Sequence, residues 1–471
     1  MSLCDKNLSF EDKELDILRN AVDSAEELAG KQVAQSPEVK EIIAIVEDFL
    51  RRKKLICYGG TAINNILPEQ DQFYNKDIEI PDYDFLSPNA LDDAKELADI
   101  YYSKGYTDVE SKSGVHHGTY KVFVNYIPVA DITYIEPHLF KNIQKEAIKR
   151  NGIYYCPPNY LRMAMYLELS RPQGDVSRWE KVLKRLTLLN KHYPLKNPRC
   201  NQVDFLHDYE GNPADEAKLY SVVRNSMIDQ GLVFIGGYAT SLYGKYMPKF
   251  LKKKLRNVPE FDVLAEDPKT ASIILKENLE SAGFKNIKVY KKPGIGEIIA
   301  PHYEIVVDKD TVCFIYEPLA CHSYNEIRVG NQTAKIATID TLLSFFLAFI
   351  YADRPYYDHE KIICMAQYLF QVQEKNRLEQ KGLLKRFSLN CYGKQATLES
   401  IRAEKAEKFK ELANKKGTKE YEEYFLRYIP SEIQAQKEKK TSENKTKKLK
   451  KNKRKTRKNK NKSFVKKLFN L

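Results

Sequence analysis

Two glycine pairs, each closing a short apolar run and each followed 25 or 26 residues later by an aspartate, constrain this chain more than any other feature. Leu55 to Tyr58 runs into Gly59-Gly60 and then Thr61-Ala-Ile-Asn-Asn-Ile-Leu. Gly231 to Ile235 runs into Gly236-Gly237 and then Tyr238 to Tyr243. Both read as a strand, a glycine turn and a helix start. Asp84 lies 25 residues beyond Gly59, and Asp262 lies 26 beyond Gly236. A duplicated domain is the economical explanation.

The surrounding pattern predicts an α/β (α+β) chain. Phe10 to Lys54 reads as helical, with Ile42, Ile43, Val46, Phe49 and Leu50 at helical spacing. Strand-like stretches fall around Pro81 to Phe85, Tyr120 to Tyr126 and Val129 to Ile135, with helical Leu91 to Lys104 between the first two. Asn159 to Asn190 is helical and broken at Arg171-Pro-Gln-Gly174. Its second part opens on Ser177-Arg-Trp-Glu180, a capping-box pattern. The predicted divisions are a helical region 1–50, a first unit with its following helices 51–190, a linker 191–214, a second unit with C-terminal helices 215–436, and a tail 437–471.

Charge sets the tail apart. The chain has 77 Lys+Arg against 64 Asp+Glu, a net +13. Lys437 to Leu471 holds 17 basic and 2 acidic residues, a net +15, which leaves the body at −2. Such a segment cannot bury a core and is expected to be disordered and to bind polyanions through counterion release. A tether for RNA and a localisation or packaging tag are both consistent with it. The 31 Tyr and 21 Phe exclude a mainly disordered body.

Met1 to Lys13 has no apolar signal-peptide core. Leu342 to Ala352 is apolar over only 11 residues between Asp340 and Asp353, which predicts a buried helix and no membrane contact. The eight cysteines are scattered without a CxxC pair, and eight free thiols in a reducing, intracellular setting are expected.

The chemistry concentrates in the first unit. Gly59 and Gly60 let the backbone turn tightly against a ligand, and the helix that follows offers unpaired N–H groups to phosphate, with the Thr61 hydroxyl as one more donor. On a strand Asp82 and Asp84 project to one side, a costly pairing unless a cation lies between them, and paired carboxylates suit Mg²⁺. Asp131, flanked by apolar residues in Val129-Ala-Asp-Ile-Thr133, is the best third carboxylate for a two-metal phosphoryl-transfer site.

This arrangement resembles the nucleotidyltransferase superfamily of DNA polymerase β. Leu55-Ile-Cys-Tyr-Gly-Gly-Thr-Ala-Ile63, Asp82-Tyr-Asp-Phe-Leu-Ser-Pro-Asn89, Tyr166-Leu-Glu-Leu-Ser-Arg-Pro172 with Arg178-Trp-Glu-Lys-Val182, Ala337-Thr-Ile-Asp-Thr-Leu-Leu-Ser-Phe345 and Arg354-Pro-Tyr-Tyr357 look like the poly(A) polymerase catalytic subunits of large cytoplasmic DNA viruses, namely the poxvirus, African swine fever virus and mimivirus-like groups. The resemblance covers roughly Leu50 to Tyr357. It implies two polymerase-β-like domains, the second degenerate, with helical N- and C-terminal additions. It implies transfer of AMP from ATP to an RNA 3′ end, using two Mg²⁺ or Mn²⁺ ions. Asp82 and Asp84 would then bind both metals, Asp131 the one that activates the primer hydroxyl, and Gly59, Gly60 and Thr61 would hold the triphosphate. It further implies the cytoplasm of an infected cell, the virus factory. Packaging in the virion, a homodimer and a processivity subunit stay open.

The second copy departs from the pattern. Tyr238 replaces the Ser/Thr, Glu260 and Asp262 keep the acidic pair, and no convincing third carboxylate stands on a strand: Asp308 and Asp310 fall in an expected turn and Glu317 precedes a proline. RNA binding or scaffolding is the expectation there. Arg178, Lys181 and Arg185 share a helix face where triphosphate or primer could pass, or form a solvated face. Lys252 to Lys254 is a further basic patch. His116-His117 reads as a surface turn, since no third ligand accompanies the pair. Two rival functions remain: another template-independent transferase of the CCA, uridylyl or oligoadenylate type, and a non-catalytic RNA-binding processivity protein.

Overall fold

The structure is a computed structural model and describes residues 10–75, 77–201, 203, 213–247 and 261–436. Glu260, Lys252 to Lys254, residues 202 and 204–212 of the linker and the basic tail lie outside the described residues.

Two helices lead in, α1 (Phe10–Ala34) and α2 (Pro37–Lys53). The Ser36 hydroxyl accepts the Val39 N–H and Pro37 begins α2, whose Ile42, Val46, Phe49 and Leu50 are buried. The first unit then runs β1 (Ile56–Cys57), α3 (Gly59–Ile66), β2 (Tyr83–Ser87), α4 (Ala90–Ser103), β3 (Val109–Ser113), β4 (Thr119–Val124), β5 (Ile127–Tyr134), α5 (Pro137–Glu146), β6 (Ile148–Arg150), β7 (Ile153–Tyr155), α6 (Pro158–Leu169) and α7 (Trp179–His192). The second unit runs α8 (Pro213–Asp229), β8 (Val233–Ile235), α9 (Gly236–Tyr243), β9 (Phe261–Leu264), α10 (Pro268–Ser281), β10 (Ile287–Lys292), β11 (His302–Val307), β12 (Asp310–Tyr316), β13 (His322–Val329), β14 (Gln332–Ala337), α11 (Ile339–Ala352) and α12 (His359–Lys375). Then follow β15 (Cys391–Tyr392), α13 (Leu398–Glu411), α14 (Lys419–Phe425) and β16 (Arg427–Tyr428).

The strand order is β16-β3-β4-β5-β2-β1-β7-β6 in one sheet and β10-β11-β12-β9-β8-β14-β13-β15 in the other. Without β16 and β15, the two orders are the same sequence of equivalent strands. The senses match too: β2 pairs β5 parallel as β9 pairs β12, and β1 pairs β2 antiparallel as β8 pairs β9. The repeated glycine spacing thus marks a repeated topology.

α6 and α11 pack against each other and join the two units. Every residue of α11 is buried, as the run Leu342 to Ala352 predicts, and the Thr338 hydroxyl caps it by accepting the Thr341 N–H. No helix among the described residues is long and apolar enough to cross a membrane. The chain leaves the second unit through Arg386, whose guanidinium grips buried Asp340 bidentately at 2.8–3.0 Å. It then returns to the first sheet, where β16 pairs β3 and Lys95 meets Glu422.

Two expectations are corrected. Cys200–Cys364 and Cys321–Cys391 are disulfides, and Cys57, Cys156 and Cys313 are buried thiols. The partners lie 164 and 70 residues apart, so only folding brings them together, and the cysteine count carries no argument for a reducing compartment. The capping box at Ser177 is absent: residues 176–178 form a 3₁₀ turn, α7 starts at Trp179 with no side-chain cap, and the Ser177 hydroxyl donates to Asp175 instead.

Candidate active site

The site forms where β1 ends and β2 begins, beside α3 and the middle of β5. Gly59 has φ +70°, and a Cβ there would sit 2.7 Å from Asp84 Oδ2. Glycine is required twice over, for the left-handed turn and for the close approach of the carboxylate. The Tyr58 N–H donates to the Asp84 carbonyl at 2.9 Å, which fixes turn and strand together. No side chain caps α3, so its first N–H groups stay available to an anion.

Asp84 sits on β2, and Asp131 is its register partner on β5. Asp82 precedes β2 by one residue and is exposed, so the pair projects from a strand end and not from mid-strand. Burial, and then the charges of Asp82 and Asp131, push the Asp84 carboxyl up to about 7, against the pull of Lys121 and Arg178. Crowding by protein and the charge of Asp131 raise Asp82 as well, with Lys121 opposing. Burial leads both shifts, and the like charges of the neighbouring carboxylates add to it.

Lys121 is directly opposite Asp131 across β4 and β5, and its amine holds Asp131 Oδ2. Asp131 Oδ1 is buried and has no hydrogen-bond partner. Among the described residues no three His, Cys, Asp or Glu side chains are drawn together as a metal cage. The donor set nevertheless fits a divalent cation: three carboxylates, an orphaned buried oxygen, and two carboxyl pKa values raised by burial and by like charge.

The Thr61 hydroxyl donates to the Asp82 carbonyl at 2.6 Å and is buried. It secures the carboxylate's backbone to α3. Just before α7, Arg178 pairs with Glu168 at 3.2 Å, while Arg185 on α7 reaches over Gly60. His117 stacks on Tyr424 at 4.1 Å in the turn between β3 and β4, as a surface turn predicts. The sequence alone gave Lys121 no role. Its signal was a lone cation in the alternating strand Thr119-Tyr-Lys-Val-Phe-Val124, whose opposite residue is visible only once register is known.

In the second unit Gly236 has φ +71°, and a Cβ there would overlap Asp262 Oδ2, repeating the Gly59–Asp84 contact. The residue in register with Asp262 on the parallel neighbour is Phe314. Tyr238, at the place of Thr61, is buried against Phe234 and Phe261 with ring centroids 4.7 and 5.2 Å away. Asp308 lies in the β11–β12 turn and Asp310 begins β12, so neither supplies the missing third carboxylate.

Residues 44–175 match the poly(A) polymerase catalytic subunit family model. The resemblance seen in the sequence is borne out over the segment that holds all six candidate residues. A protein named poly(A) polymerase catalytic subunit in African swine fever virus (strain Badajoz 1971 Vero-adapted) is 36% identical over 174 residues, 36% of either chain. Its counterpart in Acanthamoeba polyphaga mimivirus is 32% identical over 186 residues, 39% of this chain and 31% of that one. The matched segment thus spans about a third of these relatives. The crystal structure of the Megavirus polyadenylate synthase superposes with a TM-score of 0.76 over 92% of this chain and 88% of that one. At 20% identity the likeness shows the fold, and it carries through both units.

Proposed function

We propose that the protein is a template-independent polynucleotide adenylyltransferase that adds AMP from ATP to RNA 3′ ends, as in viral mRNA polyadenylation. The single observation that carries this reading is the register pairing of Asp84 with Asp131 beside the Gly59-Gly60 turn, inside the family-matched segment. Asp82, Asp84 and Asp131 would hold two Mg²⁺ or Mn²⁺ ions, which when bound neutralise phosphate charge and lower the pKa of the primer hydroxyl.

The chain's own residues do the positioning. The Gly59-Gly60 turn and the first N–H groups of α3 receive the triphosphate. Thr61 and the Tyr58 N–H hold Asp82 and Asp84 against that turn. The RNA 3′-hydroxyl attacks the α-phosphorus in line, its new P–O bond replacing the bond to pyrophosphate. Catalysis here is mostly orientation and electrostatics, since phosphoryl transfer asks little covalent chemistry of the protein. The family resemblance also points to the cytoplasm of an infected cell as the place of work.

Extension of a labelled RNA primer with each nucleotide separately tests the reading. ATP with Mg²⁺ or Mn²⁺ should lengthen the primer, and Asp84→Asn should stop it. Efficient uridine addition without adenosine addition would overturn adenylyl transfer in favour of a uridylyl enzyme. Inactivity of the wild type with either metal would favour a binding protein.

A further inference from the structure

A strap of chain after α3, residues 67–75, is anchored at Asp71, Phe73 and Tyr74. Buried Asn64 accepts the N–H groups of both Phe73 and Tyr74 on Oδ1, at 2.8 and 2.9 Å. Asp71 is held from α7 by Lys191 at 2.8 Å and by His192. Earlier on α7, Arg185 lies over the rings of Phe73 and Tyr74, 4.8 and 5.5 Å from their centroids. Its Nη2 donates to the Tyr74 oxygen at 2.7 Å.

The directions of these donors matter. The Tyr74 oxygen is already accepting from Arg185, so its own O–H proton is free to donate elsewhere. Arg185 has no ion-pair partner among the described residues, and its Nη1 points toward the Gly60 backbone. A Cβ on Gly60 would lie 3.0 Å from that Nη1 and would overlap the Tyr74 oxygen. Two side-chain donors therefore converge on one small space beside the glycine turn. A planar guanidinium and a hydroxyl donor turned toward one point suit an oxyanion such as phosphate.

We propose that Tyr74 and Arg185 form a clasp that grips the polyphosphate end of the nucleotide, with Asn64 as the positioning residue that holds the strap in place. The proposal rests on the nucleotide-binding reading of this site and assigns it two phosphate contacts from outside the glycine turn. The clasp also ties α7 to α3, so the group that closes over the phosphates belongs to the helices following the sheet. Arg185 binds the phosphate directly. The Tyr74 hydroxyl both donates to it and fixes the guanidinium plane.

Steady-state kinetics on the full chain, together with calorimetric binding of inorganic tripolyphosphate, test this. Arg185→Met should raise KM for ATP and weaken tripolyphosphate binding by roughly ten- to a hundredfold, the loss expected for a charge-assisted contact. Tyr74→Phe keeps the ring under Arg185 and should raise KM several-fold while moving kcat little. Arg185→Lys should fail to restore tripolyphosphate affinity, because an ammonium cannot bridge hydroxyl and phosphate in one plane. Asn64→Asp keeps the accepting oxygens and should leave KM closer to wild type than Asn64→Leu does, which a role in folding alone would not separate. If folded Arg185→Met and Tyr74→Phe proteins bind tripolyphosphate as the wild type does, the clasp is wrong. If the wild type adds no nucleotide to RNA yet loses tripolyphosphate binding on Arg185→Met, the clasp stands and the transferase reading falls.

Discussion

Asp84 and Phe85 are consecutive on β2, yet Asp84 turns its carboxylate against the Gly59 backbone while Phe85 is fully buried beside Phe49. Strand alternation produces this split, delivering an acid to the site from a residue next to the core. The same alternation on β5 aims Asp131 at the site between buried Ala130 and Ile132. A carboxylate supported this way is rigid, since its backbone cannot shift without disturbing the core.

Gly59→Ala should therefore damage the site more than its size suggests. The added methyl meets Asp84 Oδ2 at 2.7 Å, and the positive φ costs a further ~1–2 kcal/mol for any residue with a Cβ. We expect primer extension to fall at least about a hundredfold, by analogy with loss of an electrostatic contact to the transition state, with the melting temperature lowered by a few degrees. Extension assays and thermal melts read both effects. Near-wild-type extension would show that the turn does not carry the reaction.

Phe314→Asp restores the carboxylate pattern of the first unit on paper, and it should not create a second active site. Phe314 is buried against His302 and Tyr356, with ring centroids 6.0 and 5.4 Å away. An aspartate there exchanges packing for an unpaired buried charge, at a cost above about 3 kcal/mol. Chemical denaturation should show the loss. In parallel, Asp262→Asn should leave nucleotide addition unchanged, and loss of addition in that folded variant would assign the second unit a part in the chemistry.

His322 predicts how the protein responds to acid. Its ring is buried with neither nitrogen hydrogen-bonded, and burial followed by the charge of Arg171 lowers its pKa to about 3. A group that binds its proton less readily when folded lets the unfolded chain take up more protons. Its contribution to stability is full above about 6.5 and is lost as pH falls toward about 3, on the order of a few kcal/mol. His322→Phe should flatten that part of the stability–pH curve. An unchanged slope between pH 6.5 and 4 would place the acid sensitivity elsewhere.

Removing Lys437 to Leu471 takes away a net +15 and leaves a body at −2. RNA affinity should fall by at least about tenfold at low salt, with a shallower dependence on salt concentration, because fewer counterions are released. Addition of a single nucleotide at saturating RNA should persist. Its abolition would make the tail part of the active machinery.

Much of this molecule is legible in its sequence because the carriers are local. The glycine turns, the apolar strands around them and the similar spacing to Asp84 and Asp262 follow from backbone geometry and alternation, which act over a few residues. The buried character of Leu342 to Ala352 follows from its composition in the same way. Tertiary structure decided what no short window contains. It set Asp131 in register with Asp84 and Phe314 with Asp262, put Lys121 opposite Asp131, and brought Arg185 from α7 onto the strap at Tyr74. It also joined cysteines 164 residues apart and returned the end of the chain to the first sheet. Each of these depends on which strand lies beside which, and on the long-range packing that fixes register, so a local pattern can nominate the residues but cannot pair them.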